Sequence, residues 1–392
     1  MTTDADGAPD VRSAADLMAA VTLEARRNAG AWFPSLDARR VGTRVRSTWH
    51  RPRCVLHEVL LDDGEHQERV VVKVRRNGPP PAGAVSGGAR PVLAAAAPES
   101  VSDMARHEFE GLSLIAAAAG ADDVRFSVVR PLGLLEDHAA LVMDHVDAPT
   151  MRAVLMGASR LAPRRRSTRS GPQVAFTRAG ELLRSYHAQV PERPLPSRQE
   201  NRQDLVAVVD RYVRHLASRT GDDAFFAHLG PMAAQSTVSG LPERLPLVVG
   251  HGDFVVRNVF VAPGNRVCLI DPMPRWKVPP YEDLARFVVG LRLLGLQVSS
   301  AGAAYGRGFL DELENAFLAG YFGSDPVPVE TVRAYQLVVL LDKWAAAAGR
   351  GPNRSWRRAL DGPARWNANR YFRGQAERLV GAVPARPGRQ GA

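Results

Sequence analysis

A short β-rich island, residues 247–271, interrupts an otherwise helical second half of this chain, and its polar residues fall where a hairpin would gather them. "NVFV" (258–261) and "VCLID" (267–271) are strand-like, and "APGNR" between them is turn chemistry. Antiparallel pairing would set a residue near 258 opposite one near 270 or 271, with cross-strand neighbours about 5 Å apart. Asn258 and Asp271 would then emerge at one end of the hairpin. A carboxylate and an amide oxygen side by side suit a hard cation such as Mg2+, which takes oxygen ligands and completes its shell with water and phosphate. Asp253, in the preceding loop "HGDFVVRN", would face a hydroxyl beside that metal and accept its proton. Asp and Asn are also common in loops because they hydrogen-bond nearby backbone. The combined spacing of Asp253, Asn258 and Asp271 is what points to phosphoryl transfer.

The rest of the chain supplies a frame for that island. Residues 14–29 carry helical spacing, and "RCVLHEVLLDDGEHQERVVVKVRRN" (53–77) reads as a hairpin around an Asp-Asp-Gly turn. Residues 78–100, rich in Pro, Gly and Ala, read as a mobile insertion. A helix follows over 102–120, with Ser102 or Asp103 as its N-cap and Gly120 as its stop. Two further strand-like runs, "FSVVRPLGLLE" and "HAALVMDHV", precede a change of texture at Asp147-Ala148-Pro149. Helical spacing then dominates: 150–158, 176–190, 201–218, 282–297, 308–322 and 328–348. The expected fold is α+β: an N-terminal extension with a helix (1–34), a small β-rich unit with one key helix (35–146), a larger helical unit (147–380) and a disordered tail (381–392).

The 392 residues carry 51 basic and 41 acidic side chains, a net charge of +10. Much of the excess lies in "PRRRSTRSGP" (163–172) and from Arg350 onward, where ten Arg face Asp361 and Glu377. Without a recognisable nucleic-acid module, this charge is read as ordinary Arg-rich surface, and no nucleic-acid partner is expected. "MTTDADGAPDVRS" lacks the basic start and apolar run of a signal peptide, and no apolar run approaches a membrane span, so a cytoplasmic location is expected. Cys54 and Cys268 lie in apolar runs and read as buried free thiols.

"HGDFVVRN", the "LID" ending at Asp271 and "DLA" (283–285) resemble the motifs of the aminoglycoside phosphotransferase and choline kinase family, small-molecule kinases with a bilobal protein-kinase-like fold. The resemblance implies ATP and Mg2+ as cofactors. It makes Asp253 the catalytic base or hydroxyl-orienting residue, gives Asn258 and Asp271 to the metal, and leaves His251 and Asp283 to support the catalytic loop. Lys73 in "VVVKV" would hold the nucleotide phosphates. Glu108, with Leu112 and Ile115 four and seven positions on, fits the family's partner for that lysine better than Glu110. Asp144, His145 and Val146 would lie in the segment whose backbone meets adenine. His187 reads as a satisfied structural histidine.

Two departures from the family pattern bear on function. The stretch 41–53, where a glycine-bearing phosphate loop belongs, offers only Gly42 and is Arg-rich, with Ser47 a weak candidate for phosphate contact. Pro272-Met273-Pro274 follow Asp271 without the acid that many aminoglycoside-directed members carry. Residues 343–374 offer aromatic and Arg side chains with the single acid Asp361. The expected partner is therefore a neutral or anionic hydroxylated small molecule (a sugar, glycoconjugate or glycosylated metabolite) in preference to a polycationic aminoglycoside. The alternatives are a catalytically silent nucleotide-binding protein of the same fold and a polyanion-binding protein.

Overall fold

The computed structural model describes residues 14–77, 100–120, 123–161, 171–190, 194–348 and 358–381, with backbone alone over 358–365. The insertion at 78–99, most of the basic cluster at 163–172 and the tail beyond Gly381 lie outside the described residues. The chain divides into two compact units, one taking residues up to 79, 98–113 and 129–146, the other taking the rest. The α+β expectation holds: the first unit is built on an antiparallel sheet and the second is largely helical.

In the first unit, helix α1 (Ala14–Trp32) precedes strands β1 (Gly42–Arg51), β2 (Cys54–Asp62) and β3 (Gln67–Arg75). Helix α2 (Val101–Ala119) then leads to β4 (Pro131–Leu135) and β5 (Ala140–Asp144), and the sheet order is β1-β2-β3-β5-β4. Successive strand residues point to opposite faces. One face therefore collects Val59, Leu61, Val70, Val72, Ala140 and Val142, and α1 covers it with Leu17, Val21, Ala25, Ala29 and Trp32. These α1 residues recur every three or four positions, one stripe of a helix. Lys73, out of phase with Val70 and Val72, belongs to the other face.

The sheet differs from the sequence reading in two places. The stretch 42–51 is a full edge strand paired along β2, and its turn into β2 is made by Pro52 and Arg53 without a glycine. The Ser47 hydroxyl donates to Glu58 Oε2 at 2.7 Å. The N-cap of α2 is Ser100, not Ser102 or Asp103: Ser100 Oγ accepts from the Asp103 amide at 3.0 Å and donates to its carboxylate at 2.7 Å.

The second unit contains α3 (Met151–Gly157), α4 (Gln173–Gln189), α5 (Arg202–Thr220) and α6 (Asp223–Gly240), then β6 (Val248–Val249), β7 (Val259–Ala262), β8 (Arg266–Leu269) and β9 (Lys277–Val278). Helices α7 (Tyr281–Arg292), α8 (Gly295–Ser299), α9 (Arg307–Phe322), α10 (Val329–Ala348) and α11 (Arg358–Gly381) complete it. Helices α4 and α9 meet backbone to backbone. A Cβ on Gly180 would fall 2.1 Å from the Phe317 carbonyl and one on Gly320 1.9 Å from that of Thr177, so neither position admits a side chain. Phe254, immediately after Asp253, is buried against Phe287 and Phe317, with ring centroids 5.1 and 6.0 Å away. The loop carrying Asp253 is thereby anchored in the core. A second core joins Tyr212, Phe226, Tyr335, Trp344 and Phe372.

Trp344 is buried and stacks on Phe372 at 5.6 Å, and Tyr371 is buried too. The aromatic acceptor surface expected over 343–374 is therefore mostly core, because these rings recur at helical spacing toward α10 and its neighbours. Among the described aromatic residues of this stretch Trp366 is the exposed exception, with Arg370 over its ring.

Candidate active site

In the second unit the site is organised by Asp283, in the first turn of α7, where a carboxylate is favoured by the helix dipole. Asp283 Oδ2 accepts from the His251 amide at 2.6 Å and Oδ1 from the Gly252 amide at 3.1 Å. His187 Nε2, on α4, lies 3.2 Å from Oδ2, and its Nδ1 lies 2.9 Å from the Tyr321 hydroxyl. A carboxylate only accepts, so His187 donates through Nε2 and accepts the hydrogen bond of the Tyr321 hydroxyl at Nδ1. Burial pushes Tyr321 up in pKa, which keeps it a donor. Burial alone would also raise the Asp283 carboxyl, but the hydrogen bond from His187, with that from the His251 amide, holds it at about 2. His187, read from sequence only as a satisfied histidine, is the side chain that pins the loop's anchor.

Gly252 has φ +84°, and a Cβ there would meet the Met273 carbonyl at 2.8 Å. Both facts require glycine at this turn. Burial lowers the pKa of His251, against the opposing charges of Asp283, Asp253 and Asp271, so the ring is neutral. It is packed between Tyr186 and Phe254, with centroids 6.0 and 5.6 Å away.

Asp253 follows on this fixed turn. Arg257 Nη2 donates to its Oδ2 at 2.7 Å, and Asn258 Nδ2 donates to the same oxygen at 3.0 Å and to the Asp253 carbonyl at 2.9 Å. Both side-chain contacts converge on Oδ2, so Oδ1 is the oxygen that can face an acceptor hydroxyl. Arg257 was missed in the sequence; its position four residues after Asp253 within one turn-rich loop was the available signal.

Strands β7 and β8 pair with Val259 opposite Leu269, and the Ile270 amide donates to the Asn258 carbonyl at 3.0 Å. Asn258 and Asp271 therefore leave the same end of the hairpin, as expected from its register. Asp271 has φ +60°, a left-handed conformation that Asp tolerates better than most residues. Asn258 uses its nitrogen on Asp253, so Oδ1 is its remaining end, and with the Asp271 carboxylate it forms a pair of hard oxygen donors. Among the described residues no group of three or more His, Cys, Asp or Glu forms a metal cage. Mg2+ needs none, since it keeps water and phosphate in its shell.

In the first unit, Lys73 Nζ donates to Glu108 Oε1 at 2.6 Å, and both side chains are buried. Arg75 pairs with the other oxygen, Oε2. Glu108 and not Glu110 is therefore the partner of Lys73, and Arg75, two residues on along β3 and so on the same face, is a second cation unread in the sequence. Asp144 closes β5 with its amide donating to the Arg130 carbonyl at 3.1 Å and its carboxylate bound by the Arg130 guanidinium at 2.8 and 2.9 Å. His145 and Val146 follow it at the end of this unit.

The family model described as the phosphotransferase enzyme family, APH, matches residues 57–327. No curated protein matches the chain. Among solved structures, an ethanolamine kinase from Plasmodium vivax aligns at 10% identity over 94% of this chain and 89% of that one, with a TM-score of 0.48. A choline kinase from Streptococcus pneumoniae aligns at 11% identity over 93% and 100%, TM-score 0.47. A macrolide 2'-phosphotransferase type I aligns at 17% identity over 86% and 97%, TM-score 0.47. At such values the family assignment rests on the family model.

Proposed function

This chain belongs to the phosphotransferase enzyme family, and we propose that it moves the terminal phosphoryl group of ATP to a hydroxyl of a small molecule. The observation that carries this reading is the clamped loop: Asp283 holds two successive loop amides while Asn258 and Arg257 hold one oxygen of Asp253. Such pre-set geometry is what phosphoryl transfer asks of a protein, since positioning and charge neutralisation do most of the catalysis. Asp253 Oδ1 accepts the hydroxyl proton as the acceptor oxygen bonds to the terminal phosphorus and the bond to the leaving diphosphate breaks.

Lys73, oriented by Glu108, engages the nucleotide phosphates. With the Asp144 amide engaged by Arg130, the adenine contact falls to the backbone of His145 and Val146. Asn258 and Asp271 would hold Mg2+, which offsets the charge of the phosphate oxygens when bound.

The acceptor is proposed to be neutral or anionic, such as a sugar, glycoconjugate or glycosylated metabolite. Two basic side chains stand near Asp253. Arg257 pairs with it, and Lys343 on α10 lies close enough to feel its charge. Burial pushes Lys343 down in pKa, and Arg286 adds to this, while Asp342 and Asp253 pull it back up. Desolvated ammonium groups of a polyamine would meet these cations rather than carboxylates. ADP release measured with glucose, glucuronate and kanamycin tests the reading. Higher kcat/KM for the sugars is expected. Efficient turnover of kanamycin at low KM would overturn the acceptor class, and no ADP release with any hydroxylated acceptor would overturn the transfer itself.

A further inference from the structure

We propose that the second unit carries a separate binding site for a small amphiphilic anion, a carboxylate or phosphate monoester with an apolar tail, in a cleft at the end of α7 remote from the catalytic loop. The cleft encloses about 500 Å3 and is lined from α7, α9, α10 and α11. That volume is within the range of small-molecule sites. Asp283 is the third residue of α7 and Arg292 the last, so the cleft begins roughly 13 Å further along the helix axis at 1.5 Å per residue.

The floor is a closed polar network. Arg292 is buried, and its guanidinium donates to Glu314 Oε2 at 2.8 Å and Asp311 Oδ1 at 2.6 Å. Gln336 Nε2 donates to the other Glu314 oxygen at 2.7 Å. Glu314 is thus engaged through both oxygens and Asp311 through one. Arg333 and Arg378 also line the cleft, so three Arg stand against two acids, an excess of one positive charge.

Arg378 is the group that asks for a ligand. It stands at the mouth, exposed, and among the described residues it forms no ion pair. Although the residue as a whole is exposed, partial burial of its side chain lowers its pKa and the charge of Arg292 adds to this, with Glu314 and Asp311 opposing. An anion brought to the mouth would relieve that repulsion, and Arg recognises carboxylate and phosphate bidentately. Apart from Asn315, the remaining lining is apolar. Leu318 and Val332 are buried, and Val329 leaves 45% of its surface exposed. A short hydrocarbon tail on Val329 would cover it while the anionic head meets Arg378.

Isothermal calorimetry with octanoate, octylamine and inorganic phosphate tests this on the full chain. Octanoate is expected to saturate at one molecule per chain, with octylamine and phosphate at least tenfold weaker. Arg378→Ala should weaken octanoate at least fivefold, and Ala319→Trp, at the exposed rim, should do the same by filling the cleft. Asp253→Asn should leave octanoate affinity unchanged, since the catalytic loop takes no part. Absence of saturable octanoate binding, equal affinity for octylamine, or affinity that survives both rim substitutions would overturn the proposal. Phosphate binding as tightly as octanoate would overturn the apolar half of it.

Discussion

Glu108 in the first unit and Asp283 in the second are both fully buried carboxylates, yet one is met by side chains and the other mainly by backbone. Glu108 lies between Lys73 and Arg75, two cations on one strand. Asp283 accepts from two consecutive loop amides and from His187. A carboxylate matched by two flexible cations has a reserve, since one can be lost while the other remains. A carboxylate that holds main chain has none, because its loss leaves amide donors buried without a partner and frees the loop they belong to. The first arrangement tunes where one lysine points. The second fixes the path of the backbone that carries Asp253.

The largest expected effect therefore lies at Asp283. Asp283→Ala should cost about 3–5 kcal/mol, the range for leaving buried partners unpaired, read as a shift of the urea midpoint with unchanged slope. A loss below about 1 kcal/mol would mean that the loop is held by its packing rather than by this carboxylate.

The same residue predicts an acid limb. Its folded carboxyl sits at about 2, against about 3.9 for an unfolded Asp. A depressed folded value means stability that is fully present above about pH 4 and lost as pH falls toward 2, on the order of 2–3 kcal/mol. Comparing wild type with Asp283→Asn across that window isolates this contribution. Parallel pH profiles for the two proteins would contradict it.

Lys73 should matter least for stability. Lys73→Met leaves Arg75 on Glu108, so a cost of about 1–3 kcal/mol is expected, together with weaker ATP binding by fluorescence titration. A cost equal to that of Asp283→Ala would erase the contrast between the two carboxylates.

How legible these features were in the sequence follows from what each depends on. The Lys73–Glu108 pair could be read because the resemblance to the family pointed to the lysine, and helical spacing then favoured Glu108 over Glu110. The hairpin end that joins Asn258 to Asp271 was readable from local rules of strand pairing through a five-residue turn. His187 on Asp283 was not, since it joins α4 to α7 across 96 residues of sequence. Helix α6 escaped notice because Gly230 and Pro231 interrupt it and its buried face, with Phe225, Phe226, Leu229 and Ala233, comes from tertiary packing rather than a clean stripe. Helix α11 was hidden by Gly362 and Pro363 and by its many Arg. The strand at 42–51 was obscured by its exposed, Arg-rich edge, where no burial pattern marks alternation.

The central claim is that the clamped loop exists to present one oxygen of Asp253 to an acceptor hydroxyl. Asp253→Asn is nearly isosteric and tests it most directly, with ATP affinity and kcat measured on the same preparation. ATP binding should be retained while kcat falls about 10²–10⁴-fold. A variant that binds ATP normally and turns over near the wild-type rate would contradict the claim.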